Sequence, residues 1–299
     1  MYSFSTAHQL QYPDWYTEYI SVPYTDRFIT VDGTEIHYQI WGEDSKPGLL
    51  FVHGHAAHSH WWDFIAPAFT DSYQVAAIDM SGCGDSGHRP QYSATLFASE
   101  ILQVAETLSN RTVIIGHSFG GAMTRIAAHF HAERLGGIVL VDSVISETAG
   151  SRKPLKMPRL NNRYYQNLES GMKRVRLRPP QPCLNEYLLQ HIARHSLKET
   201  DQGFLFKLDQ ALFAKMIEET TIQLPDAATM IRNLRLPKAF IYGEQSRFFP
   251  PASRSFLTSL FGSEIRKIPN AHHHVFLDQP TLFIGALKEI LTTLPVKRS

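Results

Sequence analysis

Residues 112–121 read TVIIGHSFGG, and this stretch decides the fold. Its first four residues are apolar and predict a buried strand, and the apolar pattern at 120–134 predicts a helix directly after it. Between them Gly116, Ser118 and Gly120 form the pattern G-x-S-x-G. In a sharp strand–turn–helix connection a serine hydroxyl is exposed, and the helix N-terminus offers free N–H groups to a developing oxyanion. The stretch therefore indicates a nucleophilic serine; the plainer alternative is an ordinary turn with a helix-capping serine.

On both sides of this stretch, short apolar runs alternate with helical patterns. Further buried strands are predicted at 48–52, 75–78, 137–141 and 239–242, and further helices at 94–108, 252–261 and 281–294. Residues 28–42 flank Asp32-Gly33 with two alternating runs, which predicts a β-hairpin. Such alternation predicts an α/β fold with a mostly parallel central sheet flanked by helices.

One segment, 143–231, interrupts the alternation and shows no convincing strand. It starts as a basic, irregular stretch, and helical patterns follow at 185–197, 210–219 and 225–233. We therefore expect a helical insertion. The charge run at 173–178, KRVRLR, is most simply a solvated face, with phosphate or anion binding as the alternative.

Composition narrows the classes of function. With 29 Lys+Arg against 28 Asp+Glu the formal charge is +1. This balance argues against a nucleic-acid partner bound by bulk positive charge. Hydrophobic residues at 43% and charged residues at 19% are typical of a globular enzyme. Two cysteines do not imply a disulfide framework, and no apolar run of 18 residues predicts a membrane span. The N-terminus does not resemble a secretory signal, so we expect a cytoplasmic protein.

Histidine is the unusual component, with 15 copies. Seven lie in two short runs: His53, His55, His58, His60 and His272, His273, His274. Histidine titrates near neutral pH and is the commonest metal ligand, so acid–base catalysis, metal binding and packing are all open readings.

Four segments, in order, resemble the α/β-hydrolase superfamily. They are LFVHG at 50–54, IDMSGCGDS at 78–86, GHSFGG at 116–121, and IPNAHHHVFLDQP at 268–280. The resemblance runs from about Asp26 to Val296 and implies a serine hydrolase with a helical cap. It divides the chain into an N-terminal extension at 1–25, a core at 26–142 and 232–299, and a cap at 143–231.

The resemblance also implies catalytic roles. Ser118 would be the nucleophile; related dehalogenases and epoxide hydrolases use an aspartate at that position, so a serine argues against their chemistry. His273 would be the general base, with His272 and His274 as the alternatives. The oxyanion would be held by the backbone N–H groups of Phe119 and His55.

The acidic residue that would orient the catalytic histidine departs from the common family pattern. Many members carry an aspartate three residues after the glycine that ends the seventh strand, whereas this chain has Ser246 there. Asp142, at the end of the sixth strand, is our first assignment, and Glu244 is the alternative. Either choice keeps the order serine, acid, histidine along the chain.

A metal-dependent hydrolase is the main rival. His53, His55 and His58 have the H-x-H-x-x-H spacing of binuclear metallo-hydrolases, but the position before the last histidine is Ala57 instead of an aspartate. We therefore predict neither metal nor cofactor.

The sequence thus predicts a serine hydrolase that cleaves a carboxylic ester or related acyl bond. A C–C bond or lactone hydrolase on the same machinery is the alternative, and a non-catalytic ligand-binding protein is the alternative from another class. Aromatic residues predict an apolar pocket for a small-molecule substrate with a medium-sized hydrophobic or aromatic acyl group. Its candidate lining residues are His117, Trp61, Trp62 and Phe248.

Overall fold

The computed structural model describes residues 12–108, 111–145, 163–217 and 224–294. An eight-stranded sheet forms the centre of the molecule, and a separate two-stranded hairpin lies in the predicted cap. The strands are β1 Thr25–Val31, β2 Thr34–Trp41, β3 Gly48–Val52, β4 Gln74–Ile78, β5 Val113–His117, β6 Gly137–Val141, β7 Leu197–Thr200, β8 Gly203–Phe206, β9 Lys238–Gly243 and β10 Ile265–Ile268.

The central sheet has the strand order β1-β2-β4-β3-β5-β6-β9-β10. Strands β3 to β6, β9 and β10 run parallel, while β1 and β2 are antiparallel at one edge. The predicted hairpin is β1–β2, and its turn has positive φ at Asp32 (46°) and Gly33 (74°), as a tight hairpin turn requires. The carboxyl ends of the parallel strands therefore share one edge, where the loops after β3, β5, β6 and β10 meet.

Helices cover both faces of this sheet. They are α1 Asp14–Ile20, α2 Ala94–Leu108, α3 Ser118–His131, α4 Leu168–Met172, α5 Glu186–His195, α6 Ala227–Asn233, α7 Ser253–Phe261, α8 Val275–Asp278 and α9 Pro280–Thr293. Alternate strand residues point to opposite faces, so the interior divides into two cores. Leu50, with α2, α3, α6 and α7, belongs to one core, and Leu49, with α1, α5, α8 and α9, belongs to the other.

The predicted α/β architecture is confirmed, and three of its details were wrong. The edge strand β10 was missed. Within 143–231, β7 and β8 form a hairpin where no strand was expected. The helix expected at 210–219 is only a 3₁₀ turn at Leu212–Ala214 in its described part. Helix α6 packs against α3 and α7 of the core. Residue 231, where the predicted cap ends, lies within this helix.

The segment 78–86 has a structural role. The carboxylate of Asp79 is fully buried and accepts hydrogen bonds from the backbone N–H groups of Ser59 (2.6 Å) and Asp85 (2.9 Å) and from His37 Nδ1 (2.8 Å). A Cβ on Gly84, where φ is 56°, would lie 2.1 Å from this carboxylate. The segment therefore ties the end of β4 to the loop that follows β3.

Candidate active site

Ser118 stands at the turn between β5 and α3 in a strained backbone conformation. Its φ is 52°, the left-handed region that a non-glycine residue rarely adopts. The glycines around it make the turn possible: a Cβ on Gly120 would lie 2.2 Å from the carbonyl oxygen of His53, and one on Gly121 would lie 2.5 Å from Ser143 Cβ. Ser143 Oγ also donates a hydrogen bond to the carbonyl of Ser118 at 2.8 Å. Close packing on all sides therefore holds this strained turn.

His273 lies between Ser118 and Asp142. Its Nε2 is 2.9 Å from Ser118 Oγ, and its Nδ1 is 2.7 Å from Asp142 Oδ1. An ionised carboxylate can only accept, so Nδ1 carries the ring proton and Nε2 is free to accept the proton of the serine hydroxyl. The three residues come from the loops after β5, β6 and β10, which end at the same edge of the sheet.

The carboxylate of Asp142 is completely buried at the end of β6. Its Oδ2 accepts a hydrogen bond from the N–H of Gly243 at 3.0 Å, and its Oδ1 accepts one from Ser246 Oγ at 2.7 Å. Burial raises the pKa of Asp142, while these two hydrogen bonds act in the opposite direction. The proton on His273 Nδ1 further favours the ionised carboxylate. Ser246, which occupies the position where many family members have the acid, thus donates to Asp142 at the end of the neighbouring strand. Sequence reasoning missed this role of Ser246.

His273 is enclosed on several sides. Burial, with a smaller effect of the positive charge of Arg247, lowers its pKa to about 4, so the ring is neutral near pH 7. The ring centroid of Phe248 lies 4.9 Å from that of His273, nearly edge-on. Beneath it, His117 Nε2 donates a hydrogen bond to the carbonyl of His273 at 3.1 Å. His273 is therefore fixed through both its ring and its backbone.

The loop that carries His273 is also bound to the predicted cap. Gln181 accepts a hydrogen bond from the N–H of His274 at 2.9 Å and donates to Asp278 at 3.0 Å. The same Asp278 accepts from the N–H of His272 at 2.7 Å. Thus the residues on both sides of His273 are held by one network that includes a cap side chain. No spacing in the sequence signals this role of Gln181.

Glu244, the alternative acid, is not brought to His273. Its side chain is exposed and forms an ion pair with Lys267 Nζ at 2.5 Å, which lowers the pKa of Glu244. It also accepts a hydrogen bond from the N–H of Asn270 at 3.4 Å. Among the two candidates, Asp142 alone contacts the histidine in the described structure.

The two expected oxyanion donors belong to segments that adjoin Ser118. Phe119 is in the first turn of α3, where backbone N–H groups have no acceptor within the helix. His55 follows Gly54 after β3, and a Cβ on Gly54 would be 3.4 Å from Ser118 Cβ, so this loop passes close to the serine. The ring of His55 stacks on Phe213 at 3.9 Å, and Phe213 lies edge-on to Phe119 at 5.9 Å.

The four predicted pocket residues have different surroundings. Trp61 lines a cavity under the cap and is 7% exposed. Phe248 contacts the ring of His273. His117 is buried beneath His273 and supports its backbone. Trp62 lies within the core with its ring 4.5 Å from that of Phe276, away from the cavity wall.

His53, His55 and His58, the histidines with the metallo-hydrolase spacing, do not form a group of metal ligands in the described part of the chain. The N–H of Met80 donates to His53 Nε2 at 3.0 Å, so Nδ1 carries the proton that bonds Gly54 O at 2.8 Å, and neither nitrogen is free. His58 Nε2 bonds Ser196 Oγ at 2.8 Å. Within the described ranges, ligand atoms come within 4.8 Å of one another in two other groups, His60 with Asp63 and His195, and His37 with Asp79 and Asp85.

Burial lowers the pKa of most of the clustered histidines, namely His53, His55, His58, His273 and His274, and so suppresses their positive charge. Burial lowers the pKa of four fully enclosed rings: His53, His58, His117 and His274. Around the cap–core contact, Asp63 accepts from His60 at 2.8 Å and from His191 of α5 at 2.7 Å. These hydrogen bonds hold the pKa of Asp63 down at about 2 against the opposing effect of burial.

Comparison with known proteins agrees with this fold. A model of the alpha/beta hydrolase family matches residues 49–286. The chain belongs to the alpha/beta hydrolase family. Among structures of other alpha/beta hydrolases, E-2-(acetamidomethylene)succinate hydrolase superposes with a TM-score of 0.74 at 18% identity, covering 91% of this chain and all (100%) of that one. The thioesterase domain from the curacin biosynthetic pathway gives a TM-score of 0.72 at 19% identity, covering 90% and 99%.

Relatives of this alpha/beta hydrolase include proteins named as hydrolases and as an esterase. The pimeloyl-[acyl-carrier protein] methyl ester esterase of Aeromonas hydrophila is 27% identical over 82% of this chain and 95% of its own length. A serine hydrolase-like protein of Danio rerio is 26% identical over 61% of each chain. Epoxide hydrolase 4 of Homo sapiens is 27% identical over 37% of this chain. This chain spans less than two thirds of the last two relatives, 61% and 32% of their lengths.

None of the helices in the described residues combines the length and the apolar character that a bilayer span needs.

Proposed function

We propose that the protein is a serine hydrolase that cleaves a carboxylic ester or a related acyl bond. The observation that carries the proposal is the position of His273, with Ser118 Oγ at 2.9 Å on one nitrogen and Asp142 Oδ1 at 2.7 Å on the other. A serine hydroxyl is a weak nucleophile near neutral pH, and a neutral imidazole at this distance supplies the base it lacks.

In the proposed reaction Ser118 Oγ attacks the carbonyl carbon as its proton moves to His273 Nε2. The N–H groups of Phe119 and His55 stabilise the negative oxygen, and Asp142 stabilises the imidazolium. The C–O bond of the ester then breaks, and the leaving alcohol takes the proton from His273. Water, deprotonated by His273, attacks the acyl-enzyme, and the acid is released as the proton returns to Ser118.

The relatives support an ester more than the other bonds considered. The methyl ester esterase of Aeromonas hydrophila matches nearly its whole length, whereas Epoxide hydrolase 4 matches over a third of this chain. Epoxide hydrolases of similar fold use an aspartate nucleophile, and this chain has Ser118 at that position. Cleavage of a lactone or a C–C bond would use the same three residues, so the substrates of the experiment separate these reactions.

The test is a panel of p-nitrophenyl esters of graded acyl length, with a lactone and a vinylogous diketone alongside. We expect ester hydrolysis, and labelling by a fluorophosphonate probe, in the natural chain and in Ser259→Ala, which changes an exposed serine of α7. Both signals should be lost in Ser118→Ala. Labelling or hydrolysis that persists in Ser118→Ala would refute the assignment of Ser118 as the nucleophile. Turnover of the diketone or the lactone, without turnover of any ester, would refute ester cleavage as the activity.

A further inference from the structure

A cavity of about 210 Å³ lies between the loop after β3 and the cap, and its lining is strongly cationic. Five of the side chains that line it are basic: Arg163, Arg174, Arg176, Arg178 and Lys207. Neither aspartate nor glutamate is found among its described lining residues. The run at 173–178, whose simplest reading was a solvated face, therefore places three arginines around a concave site.

Two residues that adjoin the candidate catalytic residues line this cavity. His55, the expected oxyanion residue, and His274 are both part of its lining. His274 follows His273, and the two ring centroids are 5.0 Å apart. A ligand in the cavity therefore lies beside the loops that carry His55 and His273.

The cations of the cavity are largely without counter-charges in the described structure. Lys207 pairs with Asp85 at 2.6 Å. Arg176 donates to the backbone carbonyls of Lys173 and Val175 instead of to a carboxylate. Arg174 and Arg178 are exposed, and within the described ranges no carboxylate forms an ion pair with either. Guanidinium groups placed together in this way repel one another and attract an anion.

Buried polar atoms among the lining residues add an independent observation. Trp61 is 7% exposed, and its indole N–H has no hydrogen-bond partner among the described residues. His55 Nε2 is also buried without a partner in the same part of the chain. An indole nitrogen can only donate, so burying it unpaired costs free energy that an acceptor on a ligand would recover. The buried indole therefore fits an acceptor atom of an ester, and the exposed arginines fit a negative group nearer to the solvent.

We propose that this cavity binds the part of the substrate that carries an anionic group, a carboxylate or a phosphate, separated from the cleaved ester by a short apolar chain. Leu205 and Phe206 of β8 supply apolar lining in the same cavity. The proposal rests on the proposed esterase function and names its substrate class: anionic acyl esters, in place of the neutral hydrophobic acyl group that the sequence predicted.

The experiment compares two p-nitrophenyl esters of adipic acid, one with a free distal carboxylate and one with that carboxylate methylated. The readout is the ratio of their kcat/KM values, measured by release of p-nitrophenol. A charge-assisted hydrogen bond from arginine is worth a factor of about ten or more, so we expect the natural chain to prefer the free acid by at least about tenfold. A phosphonate analogue of the same length shows which anion is bound better.

The variants test the arginines directly. Arg174→Gln combined with Arg178→Gln should lower the ratio about tenfold, while Lys at both positions should retain more of it. Arg254→Gln, which removes an exposed arginine from α7, is the matched control and should keep the ratio of the natural chain. A natural chain that favours the methylated ester, or a ratio that the Gln variant leaves unchanged, would overturn the proposal.

Failure of the esterase function gives a different result. In that case neither ester is hydrolysed, and binding of monomethyl adipate to Ser118→Ala by calorimetry still tests the anion site. Binding that weakens about tenfold in the Gln variant would support the site, and equal binding would overturn it.

Discussion

Replacement of Asp142 by asparagine is the sharpest test of the site, because the buried carboxylate accepts three hydrogen bonds. The donors are His273 Nδ1 (2.7 Å), Ser246 Oγ (2.7 Å) and the N–H of Gly243 (3.0 Å). An asparagine offers one accepting oxygen and an NH₂ group, so in either orientation an N–H faces another donor. If the NH₂ group faces His273, the ring proton moves to Nε2, which can then no longer accept the proton of Ser118.

The magnitude follows from these contacts. Loss of the correct tautomer and of the charge that stabilises the imidazolium lowers kcat by a factor of about 10³–10⁴ in serine hydrolases with this arrangement. At 1.36 kcal/mol per tenfold change, this is about 4–5 kcal/mol of the activation free energy. Ser246→Ala keeps the charge and removes one of the three donors to Asp142, so we expect a loss of about tenfold.

The assay is kcat on the best p-nitrophenyl ester, with a thermal unfolding curve for each variant to show that it is folded. Glu244→Gln is the control; it removes an exposed charge paired with Lys267 and should change kcat by less than about twofold. The reasoning is refuted if Asp142→Asn, correctly folded, keeps more than about a tenth of the activity. It is equally refuted if Glu244→Gln is the more damaging change.

Three further predictions concern stability and pH. Gly120→Ala should lower the free energy of unfolding by about 3 kcal/mol in a denaturant titration, because its Cβ would meet the His53 carbonyl oxygen at 2.2 Å. Gly285→Ala, at an exposed helical position with open space around it, should raise the free energy of unfolding by about 0.5–1 kcal/mol, and equal effects of the two changes would contradict the packing argument. Because burial lowers the pKa of His273 to about 4, kcat/KM should stay constant from neutral pH down through 6.5, and an acidic limb centred at the ordinary pKa of histidine would contradict that shift. Each buried histidine with a lowered pKa, such as His58, binds a proton below pH 6.5 in the unfolded chain but not in the folded one. The free energy of unfolding should therefore fall by about 1.4 kcal/mol per histidine for each pH unit below 6.5, and a free energy of unfolding that stays constant or rises as the pH falls would contradict this.

Local patterns with a backbone cause were predictable from the sequence. The run into Gly116 and the glycines after Ser118 indicated a tight strand–helix turn, and Ser118 has the positive φ that such a turn imposes. The buried runs at 48–52 and 137–141 coincide with β3 and β6, because strands covered on both faces are apolar throughout. Helix α2 matches its predicted bounds because its apolar positions recur with helical spacing.

Features that depend on partners distant in sequence were not predictable. Strand β10, with the sequence IRKI, carries two charged residues at the sheet edge and lacks a continuous apolar run. The role of Ser246 depends on Asp142, 104 residues earlier, and that of Gln181 depends on the loop 93 residues later. Likewise, a basic run such as 173–178 has the same sequence pattern whether it lies on a flat surface or lines a cavity. Only the folded chain shows which of these two positions it has.

The network around Gln181 limits how freely this protein can acquire a new specificity by exchange of its predicted cap. Asn185, at the start of α5, donates to the carbonyls of Leu277 (2.7 Å) and Asp278 (3.2 Å), so a second side chain of the predicted cap holds the same loop as Gln181. A graft that replaces both residues would alter the pocket and release the loop of His273 at once. A chimera that keeps positions 181 and 185 from this chain would separate the two effects. Diversification of the cap, in evolution or in the laboratory, is therefore expected to proceed around these two anchor positions.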